Sequence, residues 1–375
     1  MSHTFYKAGI ASGLVLGFLL PLSALAGGGP VGAVYTMSNA AEGNSILVFD
    51  RDLVGNLTPA GEFDTGGLGT GAGLGNQGGL IIDPANRWLF VVNAGSDDLS
   101  VFAIEEDGLA LVNREPSGGE NPVSLTYSGN LLYVLNAGGA VGAVDEITGF
   151  TVGADGLLTP IPGSTRSLSD ANTGPAQISF NTDGDVLVVT EKATNLIDTF
   201  TVGADGVAGP VSTHASSGTT PFGFAIGKRD QVIVSEAAGG APDQSSVSSY
   251  QLGKDGSLAV ISPSVGTTET AACWAIVSHD GRFTYTTNAG SGTISGYSIG
   301  FDGSLALLDA NGQTGNSGKD SGPLDMAFSN DGRNLYTLNG QSHTIGVFKV
   351  KDKGGLAALN SHIDLPATAN GLAVR

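Results

Sequence analysis

The feature that most restricts the fold of this chain is an internal repeat of about 50 residues, the period of a supersecondary unit that is stacked many times. One strand of the unit ends in Asn or Glu in six of its copies and occurs as VYTMS, LFVVN, LYVLN, LVVTE, VIVSE, TYTTN and LYTLN. The strand that follows occurs as ILVFD, LSVFAI, ITGFTV, IDTFTV, VSSYQL, TISGYSI and TIGVFKV. Seven copies of each strand predict seven similar β units.

Turn residues separate the strands at regular places. Asp-Gly pairs follow the third strand of the unit at 107–108, 155–156, 205–206, 255–256 and 302–303. Asp-Gly between apolar runs is a strong hairpin signal, because Gly accepts the positive φ that these turns need. The chain also has 59 Gly among 375 residues and only 14% charged residues, a composition that disfavours helices.

The two ends of the repeat region complement each other. The N-terminal copy lacks a first strand, whereas the C-terminus ends in a first strand, LAVR, with nothing after it. Pairing of Leu372–Arg375 with Val34–Ser38 closes a ring and leaves no open end. We therefore predict an all-β fold, a seven-bladed β-propeller of four-stranded antiparallel blades, as a single domain over residues 27–375.

Residues 1–26 have the pattern of a signal peptide. Lys7 precedes the apolar run Ala8–Leu20, and Ala24-Leu25-Ala26 forms a small-x-small cleavage site. The apolar run is too short to span a membrane, and no later segment is long and apolar enough. We expect cleavage near Ala26 and an exported product, periplasmic or secreted, with no membrane span.

Charge and cysteine content exclude several classes of protein. Asp and Glu outnumber Lys and Arg by 35 to 16, giving a net charge of -19 that repels the phosphates of nucleic acids. The single cysteine, Cys273, permits no internal disulfide, and no Cys-His spacing indicates zinc. We expect a monomer that binds no nucleic acid, no metal and no cofactor.

The repeat resembles that of a known family. Units such as GPLDMAFSNDGRNLYTLNGQSHTIGVFKVKDKGGL and AACWAIVSHDGRFTYTTNAGSGTISGYSIGFDGSL are similar to the seven-bladed propeller lactonases, which include propeller-type 6-phosphogluconolactonases and fungal carboxy-muconate cyclases. The resemblance implies a metal-independent site for a small lactone or organic acid at one mouth of the central channel. It leaves two reaction directions open, lactone hydrolysis and cycloisomerisation. A non-catalytic exported propeller that binds a sugar, a peptide or a cell-surface partner is the alternative.

Three residues are candidates for proton transfer. The second strand ends in Asn in four blades, but in Glu191 and Glu236 in two adjacent blades. Two carboxylates at one recess tend to separate their pKa values into an acid and a base. His343, in the equivalent loop of another blade, is a candidate acid or base. The alternative for both Glu side chains is a structural role, in which they form hydrogen bonds with the loop backbone. The alternative for His343 is an ordinary surface position.

Other side chains are predicted to bind substrate at the same mouth. The residues just before the first strands should surround the channel entrance, and Gln177, Trp274 and Asp325 are the informative ones. Trp274 equally suits packing between blades. The remaining candidates are Lys192 and Arg166 as cations for an anionic group, and Asn288 and Asn339 from the strand ends. The glycine-rich tract 66–79 is typical of a flexible loop and is a candidate lid over this mouth.

Overall fold

The computed structural model describes Met1, residues 29–139 and residues 144–375, without the side chains of residues 360–362. The predicted signal peptide therefore lies, except for Met1, outside the described residues. No helix in the described segments is long and apolar enough to cross a membrane.

Seven antiparallel sheets form a ring of blades, as the repeat predicts. Blade 1 contains β1 (Gly32–Met37), β2 (Ser45–Arg51) and β3 (Leu57–Asp64). Blade 2 contains β4 (Leu80–Ile82), β5 (Trp88–Asn93), β6 (Asp98–Glu105) and β7 (Gly108–Pro116). Blade 3 contains β8 (Pro122–Ser128), β9 (Leu131–Asn136), β10 (Glu146–Val152), β11 (Leu158–Pro160) and the short β12 (Arg166–Ser167).

The second half of the ring repeats this order. Blade 4 contains β13 (Pro175–Phe180), β14 (Val186–Glu191), β15 (Leu196–Thr201) and β16 (Ser212–Ala215). Blade 5 contains β17 (Pro221–Ile226), β18 (Gln231–Glu236), β19 (Ser246–Leu252) and β20 (Leu258–Gly266), with a short 3-10 helix at Ala238–Gly240. Blade 6 contains β21 (Ala272–Val277), β22 (Phe283–Asn288), β23 (Thr293–Ile299), β24 (Leu305–Leu307) and β25 (Gly315–Asn316). Blade 7 contains β26 (Pro323–Phe328), β27 (Asn334–Asn339), β28 (Thr344–Val350) and β29 (Leu356–Asp364).

The final strand, β30 (Asn370–Val374), closes the ring. It is the innermost strand of blade 1 and pairs antiparallel with β1, with Val34 opposite Val374 and Tyr35 opposite Ala373. The hydroxyl of Thr36 also donates a hydrogen bond to the carbonyl of Gly371 at 2.7 Å. The predicted seven-bladed propeller and its closure by the C-terminal strand are therefore confirmed.

A tyrosine in the second strand joins each of several blades to the next. The hydroxyls of Tyr133, Tyr285 and Tyr336 donate to the carbonyls of Gly206, Gly354 and Gly55 in the following blade. Each of these glycines has positive φ in the turn between third and fourth strands. A side chain there would be strained and would crowd the neighbouring blade, which explains why these turns contain Gly.

The ring has two faces with different loops. Strands two and three, and successive blades, are joined on one side, which we call the loop face, where β14 and β18 end. Tight turns join the other strands on the opposite side, which we call the turn face. The side chains at the ends of β14, β18, β22 and β27 are thus all on the loop face, as the repeat predicts.

Candidate functional site

The glycine-rich tract 66–79 crosses the loop-face mouth of the channel. The side-chain amide of Gln77 donates to the carbonyl of Ala275 at 2.8 Å, and its backbone N–H donates to the carbonyl of Ala176 at 3.0 Å. The hydroxyl of Ser124 donates to the carbonyl of Gln77 at 2.6 Å. The tract is therefore attached to blades 3, 4 and 6, and we call residues 75–78 the mouth segment.

Lys192 holds one end of the mouth segment. Its Nζ donates to the carbonyl of Gly75 at 2.6 Å and to that of Pro175 at 3.0 Å, and it lies 4.8 Å from the centre of the Phe222 ring. Burial lowers the pKa of Lys192 to about 8. A neutral amine has two N–H groups, so these two carbonyls remain satisfied when Lys192 loses its proton, and a lone pair becomes available.

Trp274 and Cys273 form the wall beside Lys192. Both side chains are buried. The indole N–H of Trp274 donates to the carbonyl of Asn76, and its ring lies 5.0 Å from that of Phe222. Burial raises the pKa of the Cys273 thiol to about 12, so the group stays protonated at neutral pH. Trp274 thus supports the mouth segment, and Cys273 is a poor nucleophile.

Asp325 holds the other end of the mouth segment. Its carboxylate accepts hydrogen bonds from the N–H groups of Met326 at 2.8 Å and Leu372 at 3.1 Å, and the N–H of Gly78, which lines the same cavity as Asp325, is close enough to lower the pKa of this carboxyl. Burial raises the pKa of Asp325 to about 7. The carboxylate thereby joins blade 7, the closing strand β30 and the mouth segment.

Below the mouth segment lies a channel cavity of about 280 Å³. Gln77 and Gly78 form one end of it, while Pro84 and Tyr127 line it near the turn face. Gln177 also lines this cavity, and its Oε1 accepts the N–H of Phe224 at 2.6 Å. Of the residues predicted at the entrance, Gln177 and Asp325 therefore contact one cavity.

Glu191 lies in a carboxyl pair that the sequence analysis missed. The N–H of Ser169 is shared between Oε1 of Glu191 at 3.1 Å and Oδ2 of Asp198 at 2.9 Å. The hydroxyls of Ser169 and Thr194 also donate to Glu191. Burial and the hydrogen bond to Glu191 raise the pKa of Asp198 to about 8, so Asp198 is protonated at neutral pH. Asp198 lies seven residues after Glu191. The equivalent residue, seven after Asn93 and Asn288, is a serine in both blades, so the exchange to Asp is visible in the sequence.

Glu236 has a different environment of hydroxyl groups. Its carboxylate accepts the N–H of Gly218 at 2.8 Å and hydrogen bonds from the hydroxyls of four serines, Ser216, Ser246, Ser248 and Ser264. Glu191 and Glu236 are both completely buried and share no hydrogen-bond partner among the described residues. Their contacts are those of the structural alternative, hydrogen bonds to loop groups of their own blades.

The other predicted site residues are not gathered around one point. His343 is exposed on the loop face, and its side chain forms no hydrogen bond within the described chain. Asn288 and Asn339 are buried and donate to Thr293 and Thr344 of their own blades. Arg166 lies on the short outer strand β12 and donates only to the backbone carbonyls of Gly163, Thr165 and Gly209.

The mouth therefore combines two features that suit attack on a carbonyl group. One is the amine of Lys192, with its lowered pKa. The other is a set of backbone N–H groups at Gly73, Leu74 and Gly75, in the tract whose Gly75 carbonyl Lys192 contacts, for which the described residues supply no hydrogen-bond acceptor. Free N–H groups beside a base can stabilise the negative charge that develops on a carbonyl oxygen.

Comparison with known proteins agrees with this architecture. Residues 35–140 match the family model described as "Lactonase, 7-bladed beta-propeller". A periplasmic gluconolactonase of Pseudomonas aeruginosa is 18% identical, with a TM-score of 0.70, over 92% of this chain and 98% of that chain. A proposed 6-phosphogluconolactonase from Bacteroides fragilis gives a TM-score of 0.70 at 18% identity, over 92% of this chain and 98% of that chain. No curated protein matches this chain. The resemblance to seven-bladed propeller lactonases is thus confirmed, and the structural neighbours show the shared fold.

Proposed function

We propose that this chain, which resembles the propeller lactonases, hydrolyses a small uncharged lactone at the loop-face mouth without a metal ion. The observation that carries the proposal is the half-buried amine of Lys192, with a pKa of about 8, on the carbonyl of Gly75, in a tract whose N–H groups at residues 73–75 have no acceptor among the described residues. The Pseudomonas aeruginosa neighbour is a periplasmic gluconolactonase, which supports this reaction class.

The charges favour an uncharged substrate over a phosphorylated one. Among the described residues, Lys192 is the one cation that contacts the mouth segment, and Arg166 is engaged with carbonyls at an outer strand. The chain as a whole has a net charge of -19. A strongly anionic lactone would be repelled by this field and would find few cations to bind.

The chemistry uses one base and a set of donors. Neutral Lys192 takes a proton from a water molecule as the water oxygen attacks the lactone carbonyl. The N–H groups of residues 73–75 stabilise the oxyanion. When the ring C–O bond breaks, the leaving alkoxide takes the proton from the lysine ammonium, which yields the hydroxy acid and restores the amine.

We also propose that the protein acts outside the cytoplasm. The support for this is the N-terminal pattern of residues 1–26, with its apolar run and small-x-small cleavage site. The periplasmic location of the Pseudomonas aeruginosa neighbour agrees with the proposal. N-terminal sequencing of the protein from a periplasmic or culture fraction would test it, with a start at Gly27 expected.

The experiment is a panel of uncharged lactones and 6-phosphogluconolactone, assayed by acid release. Lys192→Met should lower turnover on an accepted lactone by about 10²-fold, the usual share of one acid-base group. In the unmodified protein kcat/KM should rise with pH through about 8, as Lys192 loses its proton, and the variant should lack this rise. Lys353→Met, an exposed turn-face lysine, is the matched control.

Equal turnover in Lys192→Met and Lys353→Met would contradict the role of Lys192. Failure of every lactone would instead favour the second candidate, a non-catalytic propeller. That candidate has its own support, since Lys192, Trp274 and Asp325 all hold the chain's own mouth segment.

A further inference from the structure

A second cavity lies on the loop face of blade 5, away from the channel. Its volume is about 540 Å³, and we call it the blade-5 pocket. The loop between β18 and β19, the end of β20 and the loop that enters blade 5 form its walls. Gly218, Asp243, Ser246, Ser264, Gly266 and Thr268 are among its lining residues.

The buried carboxylate of Glu236 lies beneath this pocket. Three of the pocket-lining residues, Gly218, Ser246 and Ser264, donate hydrogen bonds to it. A hydroxyl that donates its proton to a carboxylate has only acceptor lone pairs left for other partners. Ser246 and Ser264 therefore present acceptors, polarised by the charge below, to whatever enters the pocket.

No cation compensates this charge within the described chain. Glu236 forms no ion pair there, and the pocket lining includes Asp243 but no Lys or Arg. A buried charge without an opposite charge is costly, so a ligand that supplies one would be bound favourably. The pocket thus offers acceptors and a negative field.

Two departures from the repeat coincide in this blade. Glu236 stands where four other blades have Asn, which forms similar hydrogen bonds without a charge. The loop after β18 spans residues 237–245 and is as long as the loop 137–145 of blade 3, whose strand ends in Asn136, whereas the equivalent loops of blades 2, 4, 6 and 7 span 94–97, 192–195, 289–292 and 340–343. The longer loop builds the pocket wall, and the exchange to Glu supplies its charge.

Backbone strain is also concentrated here. Within the described chain, left-handed residues other than Gly, Asn, Asp and His are Thr220, Ala238, Ser264, Thr268 and Ala271, and Ala238, Ser264 and Thr268 line the pocket. Such conformations are unfavourable for these residue types and persist where the surroundings impose them, often at ligand sites. The pocket is therefore maintained at a conformational cost.

From these observations we propose that the blade-5 pocket binds a small hydroxylated organic cation through its primary ammonium group. The ammonium donates hydrogen bonds to the hydroxyls of Ser246 and Ser264 and neutralises Glu236. The ligand's hydroxyls contact the Ser, Thr and Gln side chains of the lining. An amino sugar has this chemistry and fits the cavity volume. This site is independent of the proposed lactone hydrolysis, so a failure of the binding test would not count against the lactonase proposal, nor the reverse.

The test is calorimetric titration of the mature protein, residues 27–375, with glucosamine in its ammonium form and with glucose as the neutral analogue. Glucosamine should bind at least about tenfold more tightly than glucose, the difference expected for one charge-assisted hydrogen bond. Added salt should weaken the binding. Equal binding of the two sugars, or binding of calcium ions with none of glucosamine, would overturn the proposal.

Two variants separate the charge from the shape of the pocket. Glu236→Gln should remove the preference for glucosamine over glucose. Gly266→Leu should abolish binding while leaving the Glu236 hydrogen bonds in place, because a Cβ at Gly266 meets no atom within 4 Å and its backbone is not left-handed. Gly43→Leu, another open glycine in a loop of blade 1, is the matched control. Glucosamine binding by Gly266→Leu with unchanged affinity would also overturn the proposal.

Discussion

Blades 4 and 5 contain the same glutamate at the same place, yet the two carboxylates have different surroundings. Glu191 adjoins the carboxyl group of Asp198, with which it shares the N–H of Ser169. Glu236 instead accepts hydrogen bonds from serine hydroxyls, including that of Ser248 at the position equivalent to Asp198. The residue on the neighbouring third strand thus decides whether the glutamate belongs to a proton-sharing pair or remains a lone charge.

The largest difference between the two blades should appear in the pH dependence of stability. The pKa of Asp198 is raised from 3.8 to about 8 in the folded protein, so between these values the native state binds more protons than the unfolded state. The free energy of unfolding should therefore fall as pH rises from 4 to 8, with this group contributing up to about 1.4 kcal/mol per pH unit. Urea unfolding at several pH values measures it.

Asp198→Asn isolates this contribution, because Asn still donates a hydrogen bond to Glu191 but does not titrate. The slope between pH 4 and 8 should become shallower in the variant. The part that remains includes Asp325, whose pKa is also raised, to about 7. An identical slope in the two proteins would show that Asp198 and Glu191 do not share a proton.

The next effect concerns the charge in blade 5. Glu236→Ala removes an acceptor from five donors, two of which are the buried hydroxyls of Ser246 and Ser248, and should lower the free energy of unfolding by about 3 kcal/mol. Asn288→Ala, at the equivalent position of blade 6, removes two side-chain hydrogen bonds and should cost about 1 kcal/mol. If urea unfolding showed equal losses of unfolding free energy for the two variants, the charge of Glu236 would contribute nothing beyond the hydrogen bonds that an Asn forms at this position.

The smallest effect compares single hydroxyl donors. Thr194→Val removes one of four donors to Glu191, counting the protonated Asp198, and should cost about 1 kcal/mol at neutral pH. Ser216→Ala removes one of five donors to Glu236, whose other donors remain, and should cost about 0.5 kcal/mol. A larger loss for Ser216→Ala on urea unfolding would reverse the order that the two networks imply.

Much of the candidate site could have been read from local sequence. Asp198 lies seven residues after Glu191, where Ser100 and Ser295 follow Asn93 and Asn288, so the repeat itself identifies the neighbour across the hairpin. The position of Glu191 and Glu236 on one face was likewise predictable. The separation of Glu191 and Glu236 into two hydrogen-bond networks was not predicted. Each carboxylate accepts hydrogen bonds from the nearest loop groups of its own blade, and the sequence does not show which loop groups those are.

The sequence by itself determined the ring. The alternation of apolar residues in each strand and the Asp-Gly turns are local features that recur in each blade, and they define the blades. The complementary ends of the chain then allow one closed arrangement of seven blades. Only the tertiary structure decided what occupies the mouth. Gln77 contacts Ala275, which lies 198 residues later in the chain. Lys192 and Asp325, which belong to different blades, both contact the mouth segment. Such contacts exist only after closure brings the blades around one axis, and the same closure buries Lys192 and Asp325 and shifts their pKa values.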